Sequence, residues 1–493
     1  MLTLFKDRTA LYILLAGTIV RIITSIIVPP GFDESYYGCY SFHPAWGYFD
    51  HPPMVMATAS IGLFLTGTFT SFTLRFGALI IYIISLALVY DIANRLSDQN
   101  SARISLILGS IIPYFLIGMG AFVIPDNAFG LFMLLFIMSL VRLKETGNTK
   151  YFLLTGTWLG LAFLSKYHAV LLLGGLFFLL IFYKDWRKYL LSPYLYIGIL
   201  LSVLIFSPNI YWNYEHNWVS YAYQFSKSTG VTNFSLNTFL QGVFVQGGYL
   251  LPWVMIVLII ALFRARKDPQ LNWIIPFAAL PIIAFTLVGA TRQIMPHWPM
   301  PGYLAAILIA GVWIGKWSIG KQKLFFYSTG GVTLAALIIV NIQALTGFLP
   351  IEKTPDVTLD GQGWEEVYYK INSMRIMGDR TTFIFTHKWF LSGEFDFASG
   401  GKYNVFVFND EAPYSYAFWD KTKDNIGKNA LFITTDRFHD DPTELCKDYF
   451  TEFELLQTVP TYRGGSEAQI FEIWLCKGLK KPFPNPYSKY INE

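Results

Sequence analysis

The chain has 493 residues, of which 54% are hydrophobic and only 14% charged, with a formal net charge of +4. Soluble proteins carry about 25% charged residues, so the composition excludes an ordinary globular enzyme and points to a polytopic membrane protein. No lysine- and arginine-rich run is interleaved with aromatics, which leaves a nucleic-acid partner without support.

The first thirty residues have a basic start and a long apolar stretch with no small-residue cleavage site, so they read as a retained span. With about 20 apolar residues needed to cross a bilayer, spans are expected near residues 10–29, 73–92, 104–123, 127–141, 151–165, 168–183, 191–212, 241–263, 271–290, 298–315 and 324–347, about eleven in all. With the N-terminus inside, Lys6, Arg8, Arg95, Arg103, Arg142, Lys144, Lys184, Arg187, Arg264, Arg266, Lys316 and Lys321 gather on the cytoplasmic side, which is the positive-inside pattern. If the apolar stretch from Pro52 to Thr68 crossed as well, every later basic loop would be inverted. It is therefore expected to lie along the surface as an interfacial helix opened by its proline pair. The first loop, Pro125-Asp126-Asn127, residues 211–241, residues 292–301 and everything after Pro350 then share the outer side.

Beyond Pro350 the apolar excess ends. TTFIFTH at 381–387, YNVFVFN at 403–409, ALFITTD at 430–436 and QIFEIWL at 469–475 are β-branched or aromatic runs bounded by polar or Gly/Pro segments, and residues 363–377 are a helical candidate. The chain thus divides into a membrane domain over 1–348 and a soluble α/β domain over 349–493. Cys39, Cys446 and Cys476 form neither a zinc motif nor a disulfide framework, and pairing of Cys446 with Cys476 stays open.

Chemistry concentrates in GFDESYYGCYSFHPAWGYFDHPP, residues 31–53, which sets Asp33, Glu34, His43, Asp50 and His51 directly after the first span. Ionisable groups are costly beside hydrocarbon, so such a cluster reads as a functional site, with a solvated connecting loop as the alternative. Most of the neighbouring aromatics suit an interfacial belt; Tyr37 is the one singled out to meet a substrate.

DESYYGCYSFHPAWGYFDHPP, PDNAFGLFMLLFIMSLVRL, GTWLGLAFLSKYHAVLLL, SPNIYWNYEHNW and RQIMPHWPMPGYLA, in that order, resemble the PMT-like branch of the GT-C membrane glycosyltransferases, which includes protein O-mannosyltransferases and bacterial transferases that modify lipid A or lipopolysaccharide. The resemblance covers essentially the whole chain. It implies a multi-pass protein of the bacterial inner membrane with a cytoplasmic N-terminus and a periplasmic α/β domain. The implied reaction is transfer of a sugar, with inversion, from a polyprenyl-phosphate donor to a cell-envelope acceptor. A lipid A or lipopolysaccharide-type glycolipid is the expected acceptor, ahead of protein.

The family's first-loop acidic pair falls on Asp33 and Glu34. Asp33 is expected to be the general base, unless it merely caps the surface helix that follows, and Glu34 to orient the acceptor or support Asp33. Asp126 matches the family's second acidic position; it either caps its helix or binds the donor sugar, holds Asp33 or shares a metal with it. Donor-phosphate contacts are expected from Lys166, Arg292 and His51. Arginine suits a phosphate best through its planar fork. His51 stands where the lipid A aminoarabinose transferases have a phosphate-binding lysine, which leaves its role open. Lys166 faces a polar cavity or snorkels outward, and His297 either contacts phosphate or metal or simply starts a helix. Some family members use a divalent cation, but no compact ligand spacing demands one here, and no cofactor beyond the donor lipid is required. A lipid-linked-substrate transporter or flippase is the alternative of another class. It leaves the acidic loop and the α/β domain unexplained, and the sequence lacks the paired interrupted spans of many transporters.

Overall fold

A computed structural model describes residues 2–229, 234–374, 383–409 and 412–490. Among the described residues six helices are long and apolar enough to cross a membrane: Arg8–Ile27, Ser71–Leu96, Asp126–Thr146, Pro193–Glu215, Asn272–Gly289 and Ile319–Thr346. Two further apolar pairs are bent, Tyr167–Phe182 with Lys184–Leu191 by 100° and Leu236–Leu250 with Pro252–Ala265 by 99°. The protein is thus a multi-pass membrane protein. The straight span expected over 241–263 is broken because Leu251 adopts a left-handed conformation (φ 72°) and Pro252 opens the next helix. Proline cannot continue the preceding helix, but its fixed φ suits a new first turn.

Several helices are positioned by readable local devices. Asp7 caps Arg8–Ile27 by accepting from the Thr9 and Ala10 N–H groups and also pairs with Arg103 at 2.8 Å. Tyr12, Leu15, Ile19, Ile23 and Ile26 lie outward on this helix, spaced by three or four residues so that one stripe faces lipid. On its inner side the buried Arg21 donates to the carbonyls of Leu116 and Gly109 and lies 4.8 Å from the Tyr82 ring, so that protein groups solvate its charge. Met300–Ile314 is buried almost all round and forms the centre of the bundle. Tyr151–Ser165 and Pro193–Glu215 meet through small residues: a Cβ on Gly156 would stand 1.9 Å from the Gly198 carbonyl oxygen. This close approach is the small-residue packing that brings membrane helices together.

The stretch expected to lie along the surface forms the helix Met54–Thr66, closed by Gly67 at φ 66°. It locks onto Ser71–Leu96 through two glycines, since a Cβ on Gly62 or Gly77 would come within 2.0 or 2.1 Å of the Thr73 or Thr58 carbonyl.

After the last long helix, a five-stranded sheet takes the order β2-β1-β3-β5-β4, with β1 Phe383–Thr386, β2 Val405–Val407, β3 Ala430–Thr435, β4 Glu452–Arg463 and β5 Ser466–Lys477. The first three strands are parallel, and β4 and β5 form a hairpin across Gly464 and Gly465, both at positive φ, as a two-residue hairpin turn requires. The helical candidate over 363–377 appears as Trp364–Ser373; residues 375–377, and Thr381 and Thr382 of the first strand candidate, lie outside the described residues. Cys39, Cys446 and Cys476 are free, with Cys446 and Cys476 buried in one apolar cluster.

The first loop and this α/β unit share a core. The loop helix Phe32–Cys39 lies along the helix Trp389–Ser399: Ser35 donates to Glu394 at 2.8 Å, Phe32 meets Phe390 at 4.4 Å, and a Cβ on Gly38 would strike the Phe397 ring at 2.7 Å. Tyr36, Tyr37, Cys39 and Tyr40 belong to the same buried cluster as Ile384, Leu391, Phe395, Leu431 and Phe471.

Asp396 lies buried in this seam, within reach of the Tyr416 hydroxyl at 3.3 Å. Burial pushes its carboxyl up from an ordinary 3.8 to about 7, against the Cys39 and Tyr416 hydrogen bonds. Between those values the unfolded chain has released a proton that the folded chain keeps. Its contribution is therefore most favourable below pH 3.8 and is lost as pH rises towards 7, by at most about 1.4 kcal/mol per pH unit. The variant Asp396→Asn is expected to unfold at a higher temperature than wild type above pH 7, with a flatter pH dependence between 4 and 7. Thermal unfolding across that range checks this, and an unchanged slope would sink it.

Candidate active site

The first loop, the break after Tyr151–Ser165 and the segment before Met300–Ile314 converge on one cavity of about 230 Å³. Asp33, Tyr37, Asp50 and His51 form one wall, Lys166, Tyr167 and His168 another, and His297 and Trp298 a third.

Asp33, in the first turn of Phe32–Cys39, is exposed at the cavity, whereas the next residue, Glu34, is buried and points elsewhere. Successive helical residues diverge by about 100°, so only one of an adjacent acidic pair can face the same space. Glu34 takes two hydrogen bonds from the Arg75 guanidinium, at 2.9 and 2.5 Å, and the Val123 and Gly31 N–H groups at 2.9 and 3.3 Å. Arg75 spends its other donors on the Ser25, Val28 and Pro29 carbonyls. Of the two roles expected of Glu34, orienting the acceptor or supporting Asp33, the first would need its carboxylate in the cavity wall, where it does not lie; it ties the loop helix that carries Asp33 to two spans.

Asp50 is a hub that the sequence reading left without a role. It accepts from Tyr40 at 2.5 Å and Tyr36 at 3.3 Å, and lies 3.7 Å from His51 Nε2. The Tyr37 hydroxyl meets the same His51 nitrogen at 3.0 Å. Burial, then the charges of Asp33 and Asp50, raises the Tyr37 phenol well above its ordinary value, so it stays a neutral hydrogen-bonding group. Both groups thus meet His51 at Nε2, Tyr37 within hydrogen-bond distance and Asp50 just beyond it.

Lys166 ends the helix Tyr151–Ser165 in an extended conformation and turns its ammonium to Asp126 at 2.7 Å, both groups buried. Asp126 opens its helix after Pro125, but Asn127 closes that turn, accepting from the Ile124 N–H and donating to the Met119 and Phe122 carbonyls. The carboxylate of Asp126 is committed to Lys166, and its other oxygen, Oδ1, has no hydrogen-bond partner among the described residues. Lys166 borders the cavity and does not snorkel; Asp126 stands behind it.

His297 lies in the cavity wall. Arg292 does not: its Nη1 donates to the Ser226 carbonyl at 3.1 Å, so the expected arginine grip on phosphate is not assembled here. Among the described residues no three His, Cys, Asp or Glu side chains come together as a metal donor set, and no step is routed through a cation.

Two lining residues come from the α/β unit, Trp389 and Tyr414, which face each other at 4.8 Å. Tyr414 sits at φ 52°, and its hydroxyl meets that of Tyr223 at 3.3 Å. A bulky residue held at positive φ stores strain of a kind that gathers at functional sites. The available sequence signal was HKW directly closing a strand, since the carboxyl ends of parallel strands are where α/β folds place their sites.

Residues 50–212, which contain Asp50, His51, Asp126 and Lys166, match the family described as dolichyl-phosphate-mannose-protein mannosyltransferase. The lipid A galacturonosyltransferase RgtD of Rhizobium johnstonii is 21% identical over 325 residues, covering 64% of this chain and 68% of the relative. The chain is a glycosyltransferase similar to the PMT-like GT-C enzymes. Its GT-C fold is shared with ArnT from Cupriavidus metallidurans bound to undecaprenyl phosphate, with a TM-score of 0.66 at 13% identity over 94% of this chain and 97% of that one. The apo form of ArnT gives 0.62 at 15% identity over the same shares. In this glycosyltransferase Asp33 lies ahead of the family-matched segment, and its place in the cavity rests on the geometry.

Proposed function

We propose that this protein is an inverting glycosyltransferase that moves a sugar from a polyprenyl-phosphate donor to a lipid A-type glycolipid at the periplasmic face of the bacterial inner membrane. The observation that carries the reading is the convergence of Asp33, His51, Lys166 and His297, far apart in sequence, on one cavity bordered by membrane helices. The similarity to a lipid A galacturonosyltransferase and the fold shared with an undecaprenyl-phosphate-bound protein support the acceptor and donor classes. In the membrane, about eleven crossings with a cytoplasmic N-terminus place the cavity and the α/β unit outside; residues 1–348 carry the transfer machinery and residues 349–493 complete its outer wall.

Asp33 takes the proton of an acceptor hydroxyl as that oxygen attacks the anomeric carbon from the face opposite the lipid phosphate. The bond from anomeric carbon to phosphate oxygen breaks, its electron pair leaves with the lipid phosphate, and the configuration inverts. Donors aimed at the oxygens where charge develops lower the barrier. His51, beside Tyr37 and Asp50, together with His297 and Lys166, supply them, while Asp126 holds Lys166 in place. Arg292 would have to turn inward from Ser226 to join them.

Mass spectrometry of envelope glycolipids and glycoproteins from cells with and without the protein tests the reading. A single sugar increment on the lipid A fraction that disappears on deletion is expected. An increment confined to glycoproteins would replace the acceptor, and no increment on either class would overturn the transferase reading.

A further inference from the structure

The α/β unit contains a further polar cavity, of about 450 Å³, that the transfer chemistry does not use. Its position follows from topology. From β1 the chain crosses to β2 on one side, whereas β3 pairs on the other side, so the loops leaving β1 and β3 diverge and open a crevice at the carboxyl ends of the strands. Open α/β sheets bind their ligands at such a switch point. The cavity is lined by His387 and Lys388 just after β1, Phe408 just after β2, and Asp440 and Tyr449 beyond β3. Its volume falls within the roughly 300–1,000 Å³ of small-molecule sites.

The chemistry of the lining indicates what fits. His387 is almost fully buried, and its Nε2 lies 3.2 Å from the half-exposed Asp440 carboxylate. Burial lowers the imidazole to about 4, so the ring is neutral at neutral pH. The carboxylate holds the single proton on Nε2, which makes Nδ1 an acceptor. That Nδ1 has no hydrogen-bond partner among the described residues, and a buried polar atom without a partner costs about 1–3 kcal/mol. The cavity is therefore lined by one cation, one carboxylate, the neutral imidazole of His387, the Asn409 amide and two aromatic rings, Phe408 and Tyr449, set edge to face at 4.9 Å. Polyphosphates would meet a single lysine opposed by a carboxylate. A sugar ring presents hydroxyls that both donate and accept, and apolar C–H faces that lie against aromatics.

We propose that this cavity is a saccharide-binding site, separate from the transfer cavity, that takes one sugar ring of a free or lipid-carried glycan. The two sites adjoin along the chain: Lys388 lines one and Trp389, the next residue, lines the other. The proposal stands on the α/β unit alone and does not depend on the transfer reaction.

Saturation-transfer NMR on the full chain, in a detergent without a sugar headgroup, tests it. The probes are D-galactose, D-glucosamine, D-galacturonate and the deacylated oligosaccharide of lipopolysaccharide, the last distinguishing a glycan of an anchored acceptor from a free sugar. Saturable transfer is expected with at least one probe, with affinity falling about tenfold in Asp440→Asn and in Lys388→Met and unchanged in Asp33→Asn. Lack of saturable transfer with all four probes overturns the proposal. So does binding that survives both cavity substitutions, or binding lost in Asp33→Asn, which would put the sugar in the transfer cavity. Unfolding temperature is followed for every variant; if Lys388→Met does not fold, the half-exposed Asp440→Asn decides.

Discussion

Asp33→Asn is expected to lower the rate of sugar transfer by about 10²–10⁴-fold, the usual contribution of a positioned general base, while leaving the thermal unfolding midpoint where it was. The side chain is exposed at the cavity wall, so the amide replaces the carboxylate without disturbing a packed core. Transfer measured in detergent from a polyprenyl-phosphate sugar, alongside unfolding of the same preparation, separates the two effects. Glu34→Gln is the internal contrast. That substitution leaves the buried Arg75 facing a neutral amide where it now has a carboxylate at 2.5 Å, and loss of one partner from a buried pair costs about 3–5 kcal/mol. Stability should therefore fall first in Glu34→Gln and activity first in Asp33→Asn. An Asp33→Asn enzyme retaining more than about a tenth of wild-type transfer would remove this residue from the role of base.

Lys166→Met is expected to lose both folding yield and transfer. It strands Asp126, which is almost fully buried and whose charged partner is Lys166 at 2.7 Å, and the uncompensated carboxylate costs about 3–5 kcal/mol. The double variant Asp126→Leu with Lys166→Met removes both charges together. Replacing a buried pair by apolar groups of similar size is often neutral for stability, so membrane abundance and unfolding temperature should recover in the double variant while transfer does not. That split distinguishes a pair placed for chemistry from one placed for folding. Wild-type stability in the single variant, or transfer restored in the double one, would contradict it.

Much of this was legible in one dimension. The long apolar helices, the short helix Met54–Thr66 and four of the five strands follow from apolar periodicity and from glycine and proline punctuation, which are local properties. The convergence of Asp33, His51, Lys166 and His297 was suggested by their motifs. What adjacency could not show was direction. Asp33 and Glu34 are neighbours in the chain, yet one helical step turns one to the cavity and the other into the bundle. Arg292 has the chemistry for phosphate but is held at the Ser226 carbonyl. The break at Leu251 needed a backbone angle that hydropathy does not carry.

Long-range pairing accounts for the rest. Asp126 and Lys166 are joined across two helices, Asp50 collects Tyr36 and Tyr40 around one carboxylate, and Trp389 and Tyr414 reach the cavity from the far end of the chain. Hydrophobic patterning reports whether a residue is buried because burial is set by the side chain's own transfer free energy. Which distant residue it meets depends on how whole helices and the sheet pack, a choice made by shape and by charge neutralisation among groups far apart in the chain.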